Sequence, residues 1–492
     1  MTRGDHAYHK KRPFISLVAV FTVFCIVLPA GSLHAANPDP DQNQSNNTKV
    51  VIVGNMVFHG NKVTHESIIF REILFRQGDT LLLEKFQELL EQSRQNLLNT
   101  SLFNFVEIDT SFRKAPITIA DINFTFTERW YIWPVPVLEM GDRNFNEWWQ
   151  TRDFRRLNYG FLINHNNFRG RRELLQVQML LGYSQSLLLS YVNPNVNPSK
   201  TAGFGLTFIY GRKHELAWAT KNDKLAYYDN PSEYSIQSYI AAAMFYYRPH
   251  IHQSHSFWLQ YSHHRVSDTI LRLNPEFFPG LETDPRFFSF IYEFRSDHRN
   301  LKYYPTKGYY FDLLLTKHGL GVLQNSKINT MNVNTNYKKY MQLGRQWFLL
   351  AGTGVKLSLS GRQPYLMSPS LGYMYDFVRG YEYYVIDGRH TFLFKTNLKY
   401  RLLAPRTFII PFIRTEKFRK LHLSLYLGIH NDLGYVYEPD VNRFNNRLPN
   451  TLLWGKGAGF DVVTYYDRVL RIEYSLNRFG EHGFFMHFLA PI

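Results

Sequence analysis

The chain of 492 residues carries 56 Lys and Arg against 40 Asp and Glu, a formal charge of +16, with 45% hydrophobic and 16% aromatic residues and a mean hydropathy of −0.31. These figures argue against a helical membrane protein, because beyond the N-terminus no apolar run reaches the roughly 18 residues that a spanning helix needs. One cysteine, Cys25, leaves no basis for a disulfide framework.

Lys10, Lys11 and Arg12 precede an apolar stretch from Phe14 to Leu28, and "SLHAA" offers small residues for cleavage near Ala35 or Ala36. Residues 1–35 therefore read as an export signal, with an uncleaved anchor as the alternative. Cys25 lies inside that segment, preceded by bulky Phe24 where a lipoprotein signal wants a small residue. Removal of the segment takes away four Lys/Arg and one Asp and leaves a formal charge of +13 and no thiol. An exported chain rarely meets nucleic acid, so the expected counter-charge is the phosphate of membrane lipid headgroups.

Residues 36–48, with "NPDPDQNQSNNT", are polar and Pro/Asn-rich, which suits a flexible leader. A compact module follows over 49–128. "KVVIVGNMVF" reads as a strand ending at Gly60-Asn61, after which Thr64 is placed to cap a short helix carrying Ile68, Ile69, Ile73 and Leu74. Beyond the breaker "QGDT", Leu82, Phe86, Leu89, Leu90 and Leu97 recur at helical spacing. "LFNFVEIDT" and "IADINFTFTE" read as paired strands, the second alternating Ile122, Phe124 and Phe126 with Asn123, Thr125 and Thr127. The order is β-α-α-β-β, a small α+β domain.

From Arg129 to residue 492 the period changes to two. In "FLLAGTGVKLSLSG", Leu349, Ala351, Val355, Leu357 and Leu359 oppose Gly352, Gly354, Lys356, Ser358 and Ser360. In "TFLFKTNLKYRLL", Phe392, Phe394, Leu398, Tyr400 and Leu402 oppose Lys395, Asn397, Lys399 and Arg401. In "LHLSLYLGIHNDLGY", five aliphatic residues from Leu421 to Ile429 oppose His422, Ser424, Gly428, His430 and Asp432. A soluble sandwich also alternates, but after an export signal this aromatic-rich pattern predicts a transmembrane β-barrel, since only a closed sheet leaves no strand edge unpaired in lipid.

One arginine stands out in "YDFVRGYEYYVIDG", residues 375–388, among aromatic and aliphatic neighbours and before five final strand-like segments. Val378, Arg379, Gly380 and Tyr381 resemble the lumenal-loop signature of the POTRA-barrel superfamily, which includes the BamA and TamA assembly factors and the FhaC-type translocators. The module at 49–128 looks like one POTRA domain. "NFRGRRE" at 167–173, "DHRNLKYYPTKGYYF" at 297–311 and "NDLGYVY" at 431–437 add to the likeness, which spans nearly the whole chain beyond the leader.

The resemblance implies a mainly β fold, an antiparallel barrel of about sixteen strands behind one POTRA domain, with loop 375–388 folded inward. It also implies that Arg379 pairs with acids on the following strands. Alternation puts Asp432 on the lumenal side; the family's other acid is expected near Lys399, and the lysine there leaves open whether it repels Arg379 or competes for Asp432. For Gly380 the readings are tight backbone packing or an ordinary turn.

His250, His252, His255, His263 and His264 cluster in sequence, but with no acid or cysteine among them a wet turn is the expected reading and no metal site is assigned. No G-x-S-x-G elbow, phosphate-binding Gly loop or H-E-x-x-H is present, so neither enzyme nor cofactor is expected. Pro134 and Pro136 in "RWYIWPVPVLEM" cannot donate ladder hydrogen bonds, and they mark either a weak seam between first and last strands or the linker into the barrel. The resemblance implies a protein that inserts, assembles or translocates others in the bacterial outer membrane, its POTRA domain in the periplasm. Its clients are unfolded outer-membrane or secreted proteins, taken up by strand addition and assisted by accessory assembly proteins. A secretion pore for a dedicated passenger and a passive porin are the alternatives.

Overall fold

The structure, a computed structural model, describes residues 50–114, 118–140, 157–323, 327–361, 363–373, 376–413, 415–439, 444–464 and 468–488. The export signal and leader lie outside the described residues, as does Tyr375.

The N-terminal module is built from β1 (Val50–His59), α1 (Glu66–Phe70), β2 (Thr80–Leu82), α2 (Leu83–Asn99), β3 (Phe103–Lys114) and β4 (Thr118–Glu128). Its sheet runs β2-β1-β4-β3, with β1 and β4 parallel. Alternation in β4 buries Ala120, Ile122, Phe124 and Phe126, and the 3.6-residue period of α2 sets Phe86 and Leu97 against them, so one sheet face and one helix stripe share a core.

Three local expectations are corrected. Thr64 does not cap α1; its hydroxyl pairs with Tyr131 Oη at 3.0 Å and accepts from Asn167 Nδ2 at 3.0 Å, so tertiary partners outcompete the helix N-terminus. The helix ends at Phe70, short of Ile73 and Leu74, and the Leu74 amide donates to Ser93 Oγ of α2 at 3.0 Å. Leu82 belongs to β2, pairing with Val50, which adds a strand to the expected order.

Beyond the module come β5 (Ile132–Met140), β6 (Leu157–Phe168), β7 (Glu173–Gly182), β8 (Gln185–Asn193), β9 (Ala202–Lys213), β10 (Glu215–Lys221), β11 (Lys224–Asp229), β12 (Ile236–His250) and β13 (Gln253–Val266). A short α3 (Asp268–Leu273) precedes β14 (Arg286–Asp297), β15 (Gly308–His318), β16 (Thr330–Gln342) and β17 (Trp347–Ser358). Next are β18 (Pro369–Leu371), β19 (Ile386–Asp387), β20 (His390–Ile409), α4 (Glu416–Arg419), β21 (Lys420–Tyr437), β22 (Leu453–Thr464), β23 (Val469–Asn477) and β24 (His482–Phe488). Sixteen of these strands form one antiparallel sheet in chain order, from β5 at one end to β24 at the other; β10 with β11 and β18 with β19 are separate hairpins.

The period of two decides which face is which. On β21 Leu427 and Ile429 are exposed while Ser424, His430 and Asp432 are buried, the reverse of a soluble protein and the arrangement of a barrel wall in lipid. The sheet curls: Tyr304, from the β14–β15 turn, reaches Asp461 on β22. The end strand β5 and β22, third from the other end, line one cavity of about 780 Å³ through Trp133, Val135 and Thr464. Among the described residues no ladder joins β24 to β5.

The POTRA-like module lies across the end of the barrel where β5 begins. The His65 amide donates to the Gly170 carbonyl at 3.0 Å, Arg71 to the Arg248 carbonyl at 3.0 Å, and Asn99 Nδ2 to the Asn300 carbonyl at 3.1 Å. Buried Glu72 receives Arg248 in a fork at 2.5 and 2.9 Å, with Arg172 at 3.4 Å.

Candidate functional site

The loop between β17 and β20 turns back into the barrel. Gly380 makes that turn possible: its φ of +88° suits glycine, and its amide donates to Glu382 Oε2 at 2.7 Å. Behind the loop, β22 reads "GKGAGFD", and Gly455, Gly457 and Gly459 alternate onto the lumenal face. A Cβ on Gly455 would collide with the Arg379 carbonyl oxygen, and one on Gly434 with Val378. The bare backbone of β21 and β22 is therefore the bed of the loop. Val378 and Tyr381 bury with Ile386, Val436, Leu448 and Leu453 in a small apolar cluster above it.

Arg379 sits at the tip, 2% exposed. Its Nε and Nη2 donate to the two oxygens of Asp432 at 2.8 and 2.6 Å, a bidentate fork. Its backbone amide donates to the same carboxylate at 3.2 Å, Nη2 to the Thr396 carbonyl at 3.2 Å and Nη1 to Glu473 Oε1 at 3.2 Å. The second acid thus comes from β23.

Lys399 is not a partner of Arg379. Its Nζ donates to Asp461 Oδ2 at 2.9 Å and to Tyr304 Oη at 3.0 Å. The register explains this: Lys399 lies opposite Gly428, two ladder positions toward the POTRA-bearing end from the Asn397–His430 pair, and bare glycines at 428 and 459 open the way to Asp461. Arg471 forks onto Asp461 at 2.7 and 3.1 Å and lies 3.8 Å from Glu473. The result is a charge-balanced ladder of Arg379, Asp432, Glu473, Arg471, Asp461 and Lys399, all buried.

The ladder ends on Tyr304, whose hydroxyl donates to Asp461 at 2.8 Å and whose ring lies tilted against Tyr426, with centroids 4.6 Å apart. The "DHRN" stretch makes that turn stiff: Arg299 forks onto Asp297 at 2.8 Å twice, and Asn300 Oδ1 accepts the Thr306 and Lys307 amides at 3.1 and 3.2 Å. Sequence reasoning missed Asp461, Arg471, Glu473 and Tyr304; the signal for them is the lumenal parity of β22 and β23 beside a glycine column.

Of the remaining candidates, Pro134 and Pro136 lie in β5 opposite Ile163 and Phe161 of β6, and leave that end strand two donors short. The histidines disperse: His252 stacks on His298 at 4.4 Å, His255 bonds Tyr292, His263 pairs with Asp284, and His264 bonds Ser238. Among the described residues no group of three potential metal ligands converges.

An Omp85 superfamily domain matches residues 167–400, and a POTRA domain, described as a surface antigen variable number repeat, matches residues 51–129. Comparison with the curated proteins gives no match. Among solved structures the chain is similar to CdiB from Escherichia coli at 10% identity and a TM-score of 0.50, over 89% of this chain and 76% of that one. It is also similar to BamA from Haemophilus ducreyi lacking POTRA domains 1–3 (16%, TM-score 0.48, 89% and 84%) and to CdiB from Acinetobacter baumannii (13%, TM-score 0.44, 89% and 73%). At these identities the likeness concerns the fold alone.

Proposed function

Because the chain belongs to the Omp85 superfamily as a single-POTRA member, we propose that it assists the insertion and assembly of other proteins in the bacterial outer membrane, without nucleotide or cofactor. Family membership indicates an outer-membrane barrel with its POTRA domain in the periplasm. The observation that carries the finer reading is the state of the sheet ends. β5 carries prolines at 134 and 136 on the edge turned away from β6, so that edge is short of donors, and an incoming client strand competes there against a weak native closure. The POTRA sheet adds a twelve-residue edge strand, β3, suited to holding an unfolded segment by main-chain bonds. The loop and its ladder occupy the lumen, which weighs against a passive porin.

The test is a disulfide across the ends: Val135→Cys combined with single cysteines scanned along β24, where paired strands lie about 5 Å apart. A lock that forms should halt client assembly while the folded barrel, read from its slower gel mobility on heating, remains. A lock that forms and leaves client handling untouched overturns the lateral-gate reading in favour of a secretion pore.

A further inference from the structure

Between Arg401 and Lys420 one connection of the wall outruns the strands on both sides of it. β20 pairs with β17 only as far as Tyr400, opposite Trp347, yet its ladder with β21 continues to the Ile409–Lys420 pair. On the other side, β21 meets β22 only from Leu423, opposite Thr464. Residues 407–409 and 420–422 therefore form a two-stranded ribbon with no further strand beside it among the described residues, projecting at the POTRA-bearing end.

The ribbon has two unlike faces. Directly paired residues share a face, so Phe408, opposite Leu421, and Arg406, opposite Leu423, continue the row that runs outward through Leu427 and Ile429. Ile409 and Lys420 continue the lumenal row, and there Lys420 Nζ lies 3.5 Å from Glu107 and 5.4 Å from the Phe105 ring of the POTRA domain. The outward face and the connection are left uncovered, with Phe408 43% exposed and Phe412 83%. Within residues 401–420 stand Arg401, Arg406, Arg414, Lys417, Arg419 and Lys420 against the single acid Glu416.

We propose that ribbon 401–420 is a binding site for anionic phospholipid in the periplasmic leaflet, Phe408 and Phe412 entering the acyl boundary while Arg406 and Arg419 take headgroup phosphates. The outward face prolongs the row of side chains that the barrel already presents to lipid, so the leaflet is the surface it meets. Apolar wedges flanked by cations are the chemistry of an interfacial anchor. Phe418, with its ring 6.4 Å from that of Trp130, ties the ribbon to the entry of β5 and so brings the bound lipid to the sheet end. The inference rests on the outer-membrane placement and not on which clients are handled, so it stands or falls apart from the gate.

The full chain with Cys25→Ser and Phe408→Cys or Phe412→Cys, each carrying a nitrobenzoxadiazole label, is reconstituted in phosphatidylcholine vesicles with and without phosphatidylglycerol. Spin-labelled lipid should quench both positions, more strongly on phosphatidylglycerol than on phosphatidylcholine, whereas Thr407→Cys on the opposite face should stay dark to it. Arg406→Gln and Arg419→Gln should each cut the phosphatidylglycerol preference about fivefold, the equivalent of about 1 kcal/mol per charge, and molar salt should erase it. The unlabelled wild-type chain gives a measurement that no variant's folding affects: native mass spectrometry should find phosphatidylglycerol retained over phosphatidylcholine. Equal quenching and equal retention of the two lipids overturn the anionic site. Labels reached by iodide but not by lipid place the ribbon in water, open to an acidic protein instead, and overturn the proposal outright.

Discussion

Arg379 is buried between two carboxylates, and its partners decide what each deletion does. Arg379→Ala leaves Asp432 and Glu473 buried without their shared cation, whereas Asp432→Ala leaves Arg379 still bonded to Glu473 at 3.2 Å. Removing one member of a buried pair costs about 3–5 kcal/mol, so Arg379→Ala should be the harsher change, and adding Asp432→Ala to it should relieve part of the damage. Protease access to residues 376–388 and the temperature at which the folded gel band is lost measure both; strictly additive losses would mean the loop is held by something other than this pair. Half of the constellation was legible in the sequence. The resemblance implied acid partners for the lone arginine, and alternation put Asp432 on the lumenal side. Glu473 and Asp461 were not legible, because their meeting depends on the register of four successive strands, and strand parity fixes a face without fixing a height.

At the scale of elements, the docking of the POTRA domain turns on Glu72 in the loop after α1. Burial alone would raise its carboxyl, but the Arg248 guanidinium, aided by Arg172 and Arg71, outweighs burial and holds it below its ordinary value of 4.5. A carboxyl held low in the docked state contributes docking free energy that is complete above its undocked value and is lost as pH falls through the docked one. Docking should therefore be indifferent to pH around neutrality and weaken only on acidification below about pH 4.5, where spin-label distances between α2 and the β14–β15 turn should broaden. Glu72→Gln should show the broadened distances already at neutral pH and lose the acid dependence; an unchanged profile would remove Glu72 from the latch. Of this module the helical period of α2 and the alternation of β4 were readable. The end of α1 and the identity of β2 were not, since the Ser93 hydroxyl and the Val50 backbone that decide them are partners from elsewhere in the fold.

For the whole molecule the sequence announced a wall and a module but not their arrangement, because much of the docking runs through backbone groups: the Gly170, Arg248 and Asn300 carbonyls accept from His65, Arg71 and Asn99. Composition carries no trace of such contacts. The two parts nonetheless have separate cores, since the buried POTRA cluster lies within Val51–Phe126 apart from Tyr131, while the wall is held by its own ladders and the lumenal charges. Deletion of residues 49–128 should consequently leave a barrel with heat-shifted gel mobility and an intact Arg379–Asp432 pair, yet abolish client handling. The same deletion uncovers the mouth and strips Arg172 and Arg248 of the Glu72 carboxylate, so in planar bilayers the truncated chain should conduct more than the full one and shift toward anions. Glu72→Gln, which loosens the module without removing it, should fall between the two. A truncated barrel that conducts no better than the full chain would assign the barrier to the inward loop alone, and the POTRA domain would then be a client-holding arm that rests on the mouth without closing it.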